Sequence, residues 1–281
     1  MQYVYSPVRE FLIQALNEDI GHGDLTTEFI ISTHHISEAV ILAKEDFILS
    51  GLRFAKEVFN ITDSRISFKE SMSDGNPVKE GKVIATLKGP TAGLLTGERL
   101  ALNILQRLSG IATLTNRFAE LVKDTGARIV DTRKTTPNMR YLEKYAVRAG
   151  AGYNHRFGLY DGILIKDNHI MAAGGIKNAV KSVKKKAHHL MKIEVEVKNI
   201  EELTEALHAG VDIIMLDNMS VELMKEAVRI AHENNPSPLI EASGGVSIDN
   251  VREIALTGVD LISVGALTHS APSVDISMKI V

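Results

Sequence analysis

The chain of 281 residues contains no cysteine. Disulfides, Cys-ligated zinc, iron–sulfur clusters and a catalytic thiol are therefore excluded. It also lacks a charge excess of either sign. Its 32 Lys and Arg stand against 35 Asp and Glu, a formal net charge of −3. That balance argues against a nucleic-acid binder, and no nucleic-acid partner is expected. No apolar run reaches the roughly 18 residues of a membrane span, so no membrane association is expected. Met1 to Glu10 show no apolar stretch after a basic start and do not read as a secretory signal. A cytoplasmic protein is the expectation. What the chain does have is 44% hydrophobic residues, enough for a sizeable core. At roughly 150 residues per domain, its length implies about two domains or one large barrel.

Two rhythms divide the sequence. Ser6-Pro7 opens a helix, with Ser6 placed to cap it, and Val8, Phe11, Leu12, Ala15 and Leu16 share one face. Gly21 and Gly23 end it. Glu38–Leu49 reads as a strand region, Leu52–Phe59 as a helix, and Arg65–Lys69 and Val83–Leu87 as strands. A helical pattern follows from Leu94 to Lys123, with a break expected at Gly110. This first stretch, 1–110, reads as an α+β unit. Beyond it, strands alternate with helices. Arg128–Thr132, Gly162–Ile165, Lys192–Val197, Ile213–Leu216, Leu239–Ala242 and Leu261–Val264 are strands, and Ala146–Ala149 is a further candidate. Helical spacing falls at Glu201–Ala209, Val221–His232 and Asp249–Leu256. The alternation implies a parallel sheet with right-handed crossovers, at the cadence of a (β/α) barrel.

One strand carries charge on an unusual face. Lys192–Lys198 alternates strictly, so Ile193, Val195 and Val197 face the surrounding helices while Glu194, Glu196 and Lys198 point inward. An ordinary barrel interior is apolar, and unpaired charges there cost several kcal/mol each. An edge strand with a wet face would also alternate in this way. The other strand ends favour a polar, substrate-sized interior: Arg133 and Lys134, Lys166 and Asp167, Asp217, and Glu241 with Ser243 all sit where strands finish.

The modest net charge conceals an uneven distribution. Residues 128–170 hold eight Lys and Arg against four carboxylates, a local excess of four positive charges, which leaves the rest of the chain at −7. Clustered Arg suits bidentate carboxylate or phosphate recognition, and Lys supplies a mobile point charge. Lys184-Lys185-Lys186 has no strand end beside it and reads as a solvated face. Ser243-Gly244-Gly245 and Val264-Gly265-Ala266 are small turns after strands, where backbone N–H groups can meet phosphate, and His269 could add a donor. The segment from Gly75 to Lys82 is not a P-loop, because five residues separate its glycines and Val83 stands where Ser or Thr is required. No G-x-G-x-x-G, zinc-protease or G-x-S-x-G motif occurs. His188-His189 reads as a surface pair.

Eight strings run in order along the chain. They are Glu18-Asp19-Ile20-Gly21-His22-Gly23-Asp24-Leu25-Thr26-Thr27, Gly97-Glu98-Arg99 with Ala101-Leu102-Asn103 and Ser109-Gly110-Ile111-Ala112-Thr113, Asp131-Thr132-Arg133-Lys134-Thr135-Thr136-Pro137, Asn154-His155-Arg156, Ile165-Lys166-Asp167-Asn168-His169, Glu194-Val195-Glu196, Leu216-Asp217-Asn218 and Glu241-Ala242-Ser243-Gly244-Gly245. Together they resemble the quinolinate phosphoribosyltransferase family, carboxylating nicotinate-nucleotide pyrophosphorylases, over about residues 17–270.

The resemblance implies an α/β-sandwich domain over 1–110 and an open, incomplete (β/α) barrel over 111–270, with the tail 271–281 returning to the first domain. It implies transfer of phosphoribosyl from 5-phosphoribosyl 1-pyrophosphate to quinolinate with decarboxylation. The products are nicotinate mononucleotide, pyrophosphate and CO2, as in de novo NAD biosynthesis. Arg133, His155, Arg156 and Lys166 would hold the two carboxylates of quinolinate, with Arg99 reaching in from a second subunit of a homodimer. Lys134, Ser243, Gly244, Gly245, Gly265 and His269 would meet the phosphate groups, and Glu196 and Asp217 the ribose hydroxyls. Lys134, Glu196 and Asp217 are the catalytic candidates. Mg2+ would arrive with the substrate, with Glu196 and Asp217 as its candidate carboxylates. The alternatives are the paralogue associated with molybdenum transport and a non-enzymatic anion-binding module. The complete arginine set and the Asn154-His155-Arg156 string argue against both. An aldolase- or isomerase-type barrel would not require Arg99, and the paired acids of a type I phosphoribosyltransferase are missing.

Overall fold

The apolar spacing of the N-terminal segment sets its buried face. The computed structural model describes residues 6–281, and helix α1 spans Ser6–Ile20. Val8, Leu12 and Leu16 are buried along it. Gly21 ends the helix at φ 55°, and its N–H donates to the Asn17 carbonyl at 3.0 Å. The cap expected of the Ser6 side chain lies outside the described residues, as do Met1–Tyr5 of the segment read as carrying no signal. Helix α2 (Leu25–Ile30) starts at Asp24, whose carboxylate accepts the Thr27 N–H at 3.1 Å.

Strands β1 (Ile36–Ala43) and β2 (Phe47–Ile48), helix α3 (Leu52–Thr62), strands β3 (Ser67–Glu70), β4 (Pro77–Val78) and β5 (Val83–Pro90) and helix α4 (Thr91–Val122) follow. The break expected at Gly110 does not occur, because α4 is continuous over 32 residues. The glycine is instead a site of close approach: a Cβ there would collide with the Pro272 carbonyl oxygen. Beyond α4 come β6 (Arg128–Val130), α5 (Arg140–Ala149), β7 (Ile163–Ile165), α6 (Asp167–Ala173), α7 (Ile176–Lys184), β8 (Ile193–Val197), α8 (Ile200–Ala209), β9 (Ile213–Asp217), α9 (Val221–His232), β10 (Leu239–Ser243), α10 (Val251–Ala255), β11 (Leu261–Ser263), α11 (Ala266–His269) and β12 (Ile276–Ile280). Ala146–Ala149 is therefore the end of a helix and not a strand. Leu142, Ala146 and Val147 are buried at helical spacing, which a four-residue window hides.

Contacts define two units. The first comprises Met1–Asn116, Thr135–Ala151 and Ser270–Val281, and the second Arg117–Lys134 and Gly152–His269. In the first, four antiparallel strands run in the order β12-β1-β5-β3. The C-terminal strand β12 pairs with β1 from Ala39↔Ile280 to Ala43↔Ile276. Phe54, Phe59 and Leu105 are buried in this unit. Its buried carboxylate, Glu143, is compensated by Arg107 at 2.9 Å and by the Thr136 N–H at 3.0 Å.

The second unit is built on six parallel strands in the order β6-β11-β10-β9-β8-β7. The order starts at β6 and ends at β7, which makes an open, incomplete (β/α) barrel. Its crossover helices are capped by local sequence. Asn199 accepts the Glu202 N–H at 2.8 Å and Ser220 the Leu223 N–H at 3.3 Å. Lys184 donates to the carbonyls of Ala209 and Gly210 at 2.8 and 2.6 Å, at the C-terminal end of α8, while Lys185 and Lys186 are exposed. Among the described residues, no helix is long and apolar enough to cross a membrane.

Candidate active site

Parallel strands present their C-terminal ends on one side, and the second unit gathers its polar residues there. On β8, Ile193, Val195 and Val197 are buried as the alternation requires, and Glu194 is buried as well. Glu196 sits further along the same face, with its Oε2 3.3 Å from Lys166 Nζ, just past the end of β7. Asp217 ends β9 in register with Ser243 at the end of β10, and Ser263 ends β11 beside them.

The cation-rich stretch 128–170 divides between the two units. Arg140, Lys144 and Arg148 lie on α5 of the first unit. In the second unit, Arg128 stacks over the Tyr153 ring at 5.2 Å. Arg133, Lys134, Arg156 and Lys166 are the members at or just beyond strand ends of the second unit. Arg156 Nη1 donates to the Gly162 carbonyl at 2.8 Å, and its buried Nε has no hydrogen-bond partner. Burial, and then the positive charge of Arg133, pull the Arg156 guanidinium below its ordinary value. An anion placed between the two guanidiniums would relieve that repulsion.

A buried carboxylate that sequence reading did not single out holds this region together. Asp131 is fully buried at the end of β6. It accepts the Asn154 side-chain N–H at 2.6 Å and the His155 backbone N–H at 2.8 Å. Arg133 and Lys134 follow two and three residues later, so one carboxylate ties the 133–134 run to the 154–156 run. The signal in the sequence is an acid two residues before a cationic pair, which is weak without knowledge of burial.

On the other side of Lys134, its carbonyl accepts the Thr268 hydroxyl at 2.8 Å. A Cβ at Gly265 would lie 3.1 Å from His269 Nε2 and 3.2 Å from Lys134 Cδ, so Lys134, Gly265 and His269 are neighbours. Gly244 and Gly245 adopt φ 96° and 61°, conformations that turn the backbone tightly after β10.

His155, Glu194 and Glu241 form a second, deeper group whose ligand atoms all lie within 4.8 Å of one another. His155 Nε2 is 3.0 Å from Glu194 Oε2 and 3.9 Å from Glu241 Oε2. The composition suits a metal, but the ring geometry does not. His155 Nδ1 accepts the Arg156 backbone N–H at 2.8 Å. In a neutral imidazole the proton then sits on Nε2 and points at Glu194, which leaves no lone pair there for an ion. Burial, and then the charge of Glu194, push the Glu241 carboxyl up to about 7.

Arg99 belongs to the first unit. It is exposed on α4 beside a cavity of about 200 Å³ lined with Glu18, Asp19 and Asn103. The second unit thus brings together Arg133, Lys134, His155, Arg156, Lys166, Glu196, Asp217, Ser243, Gly244, Gly245, Gly265 and His269 along its strand ends and the loops that follow them. It does not contain Arg99.

Comparison with known proteins matches this chain to two family models. Residues 24–109 match the N-terminal domain of quinolinate phosphoribosyl transferase, and residues 111–279 match the C-terminal domain. A Bacillus subtilis (strain 168) protein, named as a probable carboxylating nicotinate-nucleotide pyrophosphorylase, is 48% identical, covering 94% of this chain and 90% of the relative. Quinolinate phosphoribosyltransferase (decarboxylating) 1 of Nicotiana glauca is 42% identical over 95% of this chain and 80% of its own. The solved nicotinate-nucleotide pyrophosphorylase of Francisella tularensis superposes with a TM-score of 0.94 at 41% identity, covering 99% of this chain and 98% of the other.

Proposed function

The chain belongs to the quinolinate phosphoribosyltransferase family, and on that premise we propose how its residues carry the reaction. The enzyme transfers phosphoribosyl from 5-phosphoribosyl 1-pyrophosphate to quinolinate and releases pyrophosphate and CO2, giving nicotinate mononucleotide. The observation that supports the site is the placing of four cations and two carboxylates at the strand ends of one parallel sheet.

Quinolinate carries two adjacent carboxylates, and Arg133, Arg156 and Lys166 supply converging positive charge for them. His155, whose Nδ1 accepts the Arg156 backbone N–H, completes the quinolinate side of the site. Lys134, Gly265 and His269 on one side, and Ser243, Gly244 and Gly245 on the other, receive the phosphate groups of the donor. Arg99 completes the quinolinate pocket of a second subunit in a homodimer.

The ring nitrogen attacks the anomeric carbon with its own lone pair, so no general base is needed. As pyrophosphate departs, positive charge grows on the sugar, and Glu196 and Asp217 are the carboxylates positioned to stabilise it. Lys134 offsets charge on the leaving group. The resulting pyridinium takes up the electron pair of the neighbouring carbon–carboxylate bond, CO2 is lost, and the carbon left behind takes a proton from solvent. Glu196 and Asp217 stand on adjacent strands and offer hard oxygen donors, a set that fits Mg2+. The chemistry that Mg2+ supplies when bound with the donor is neutralisation of pyrophosphate charge.

Purified protein given quinolinate, 5-phosphoribosyl 1-pyrophosphate and Mg2+ is expected to release one CO2 and one pyrophosphate per turnover. Turnover of nicotinate with none of quinolinate would overturn the reading.

A further inference from the structure

We infer that Asn218 is a positioning residue that fixes the Asp217 carboxylate against the Ser243-Gly244-Gly245 turn, so that the ribose side and the phosphate side of the donor site form one rigid unit. The inference rests on the phosphoribosyl-transfer reading above and adds a residue to it.

Three contacts converge on Asn218. Its side-chain N–H donates to Asp217 Oδ1 at 2.9 Å. Its backbone N–H donates to the Ser243 carbonyl at 2.9 Å, one step beyond the paired ends of β9 and β10. Its Oδ1 lies where a Cβ at Gly244 would have to go, so the amide packs directly on that glycine. The carboxylate proposed for the ribose and the turn proposed for phosphate are thus joined through one side chain.

The backbone supports the same conclusion. Asn218 adopts φ 53°, a left-handed conformation that most non-glycine residues avoid. Asn tolerates it better than other side chains, and Gly better still. The residue is exposed, so no core packing demands its amide. A glycine would relieve the backbone and would serve if the turn were the sole requirement. An amide at this position supplies what glycine lacks: a donor that holds one rotamer of Asp217, and an oxygen seated against Gly244. Strain kept at an exposed position beside proposed ligand groups is a recognised mark of function.

The test is calorimetric titration of 5-phosphoribosyl 1-pyrophosphate, with and without Mg2+, and separately of quinolinate, into wild type and two variants. Asn218→Gly keeps the left-handed backbone and removes the amide. Its donor Kd is expected to rise at least about tenfold, the loss typical of a hydrogen bond to a charged group, with quinolinate binding and Tm unchanged. Asn218→Asp keeps the shape but sets a second carboxylate beside Asp217. Its donor Kd in the absence of Mg2+ is expected to rise further than that of Asn218→Gly. Wild-type donor affinity in Asn218→Gly would overturn the inference. Equal weakening of quinolinate and donor, with a lowered Tm, would also overturn it by showing a merely structural role. Failure of the wild type itself to bind the donor would instead overturn the phosphoribosyl-transfer reading.

Discussion

His155 directs its Nε2–H at Glu194, 3.0 Å away, because its other ring nitrogen is occupied by the Arg156 backbone N–H. Histidine between two arginine-bearing segments reads from sequence as one more cation. The hydrogen-bond geometry fixes the orientation of the ring: Nδ1 faces the Arg156 backbone N–H and Nε2 faces Glu194. Under the proposed reading, Arg133, Arg156 and Lys166 bring fixed positive charge to the substrate carboxylates. Behind the ring, Glu194 and Glu241 are buried, and each keeps an Oε1 atom with no hydrogen-bond partner.

Glu241 makes stability depend on pH. Its carboxyl is raised from 4.5 to about 7 in the folded protein, by burial first and the Glu194 charge second. Between those values the folded state binds more protons than the unfolded state, so stability falls as pH rises through the window and levels off above it. Glu241→Gln is neutral at every pH. The variant should match wild type near pH 4.5 and gain Tm relative to it by pH 8, read by thermal denaturation across the series. A Tm difference that does not change with pH would show that Glu241 is not the titrating group.

Gly110 should tolerate no side chain. A Cβ there meets the Pro272 carbonyl oxygen, which is backbone and cannot rotate away. Gly110→Ala gains helix propensity in the middle of α4, yet overpacking is expected to win and destabilise the protein by about 1–3 kcal/mol. Urea denaturation would measure it, and a more stable Gly110→Ala protein would contradict the close approach.

The strict alternation of residues 192–198 was enough to place Glu194 and Glu196 inside the sheet, because a period of two admits one assignment once the outer face must be apolar. The glycine at 110 was misleading. Helix-breaking propensity is weak against a close chain approach, and the approach is made by Pro272, far off in sequence. Charge counting over 128–170 merged two groups, since it cannot separate the α5 cations from those at strand ends. The anchoring by Asp131 and the tautomer of His155 depend on burial and on hydrogen-bond partners, which no residue pattern encodes.

Arg133→Lys should weaken quinolinate binding by roughly tenfold or more, although the charge is kept. A carboxylate pair is matched by a planar fork with parallel N–H donors, and an ammonium offers one strongly hydrated point instead. Arg133 also acts on Arg156 through its charge, an effect that Lys preserves, so the loss reads the fork geometry. Fluorescence or calorimetric titration with quinolinate would read the change, while the Kd for 5-phosphoribosyl 1-pyrophosphate should hold. Unchanged quinolinate affinity would remove the bidentate role.

Arg99 gives the most direct test of a shared site. It lies exposed on α4 in the first unit, with Glu18 and Asp19 lining the same small cavity. Arg99→Ala should abolish turnover, and so should Lys134→Ala, each for a different missing part. If Arg99 serves the partner's site, a heterodimer of the two variants carries one site lacking both residues and one site lacking neither. Unfolding, mixing and refolding the two inactive proteins should therefore restore about a quarter of wild-type activity, the outcome of random pairing in a two-fold dimer. If Arg99 acts within its own chain, every site in the mixture lacks one residue and no activity returns. Sedimentation of the refolded mixture would show that dimers formed, so that a silent assay counts against the shared site and not against refolding.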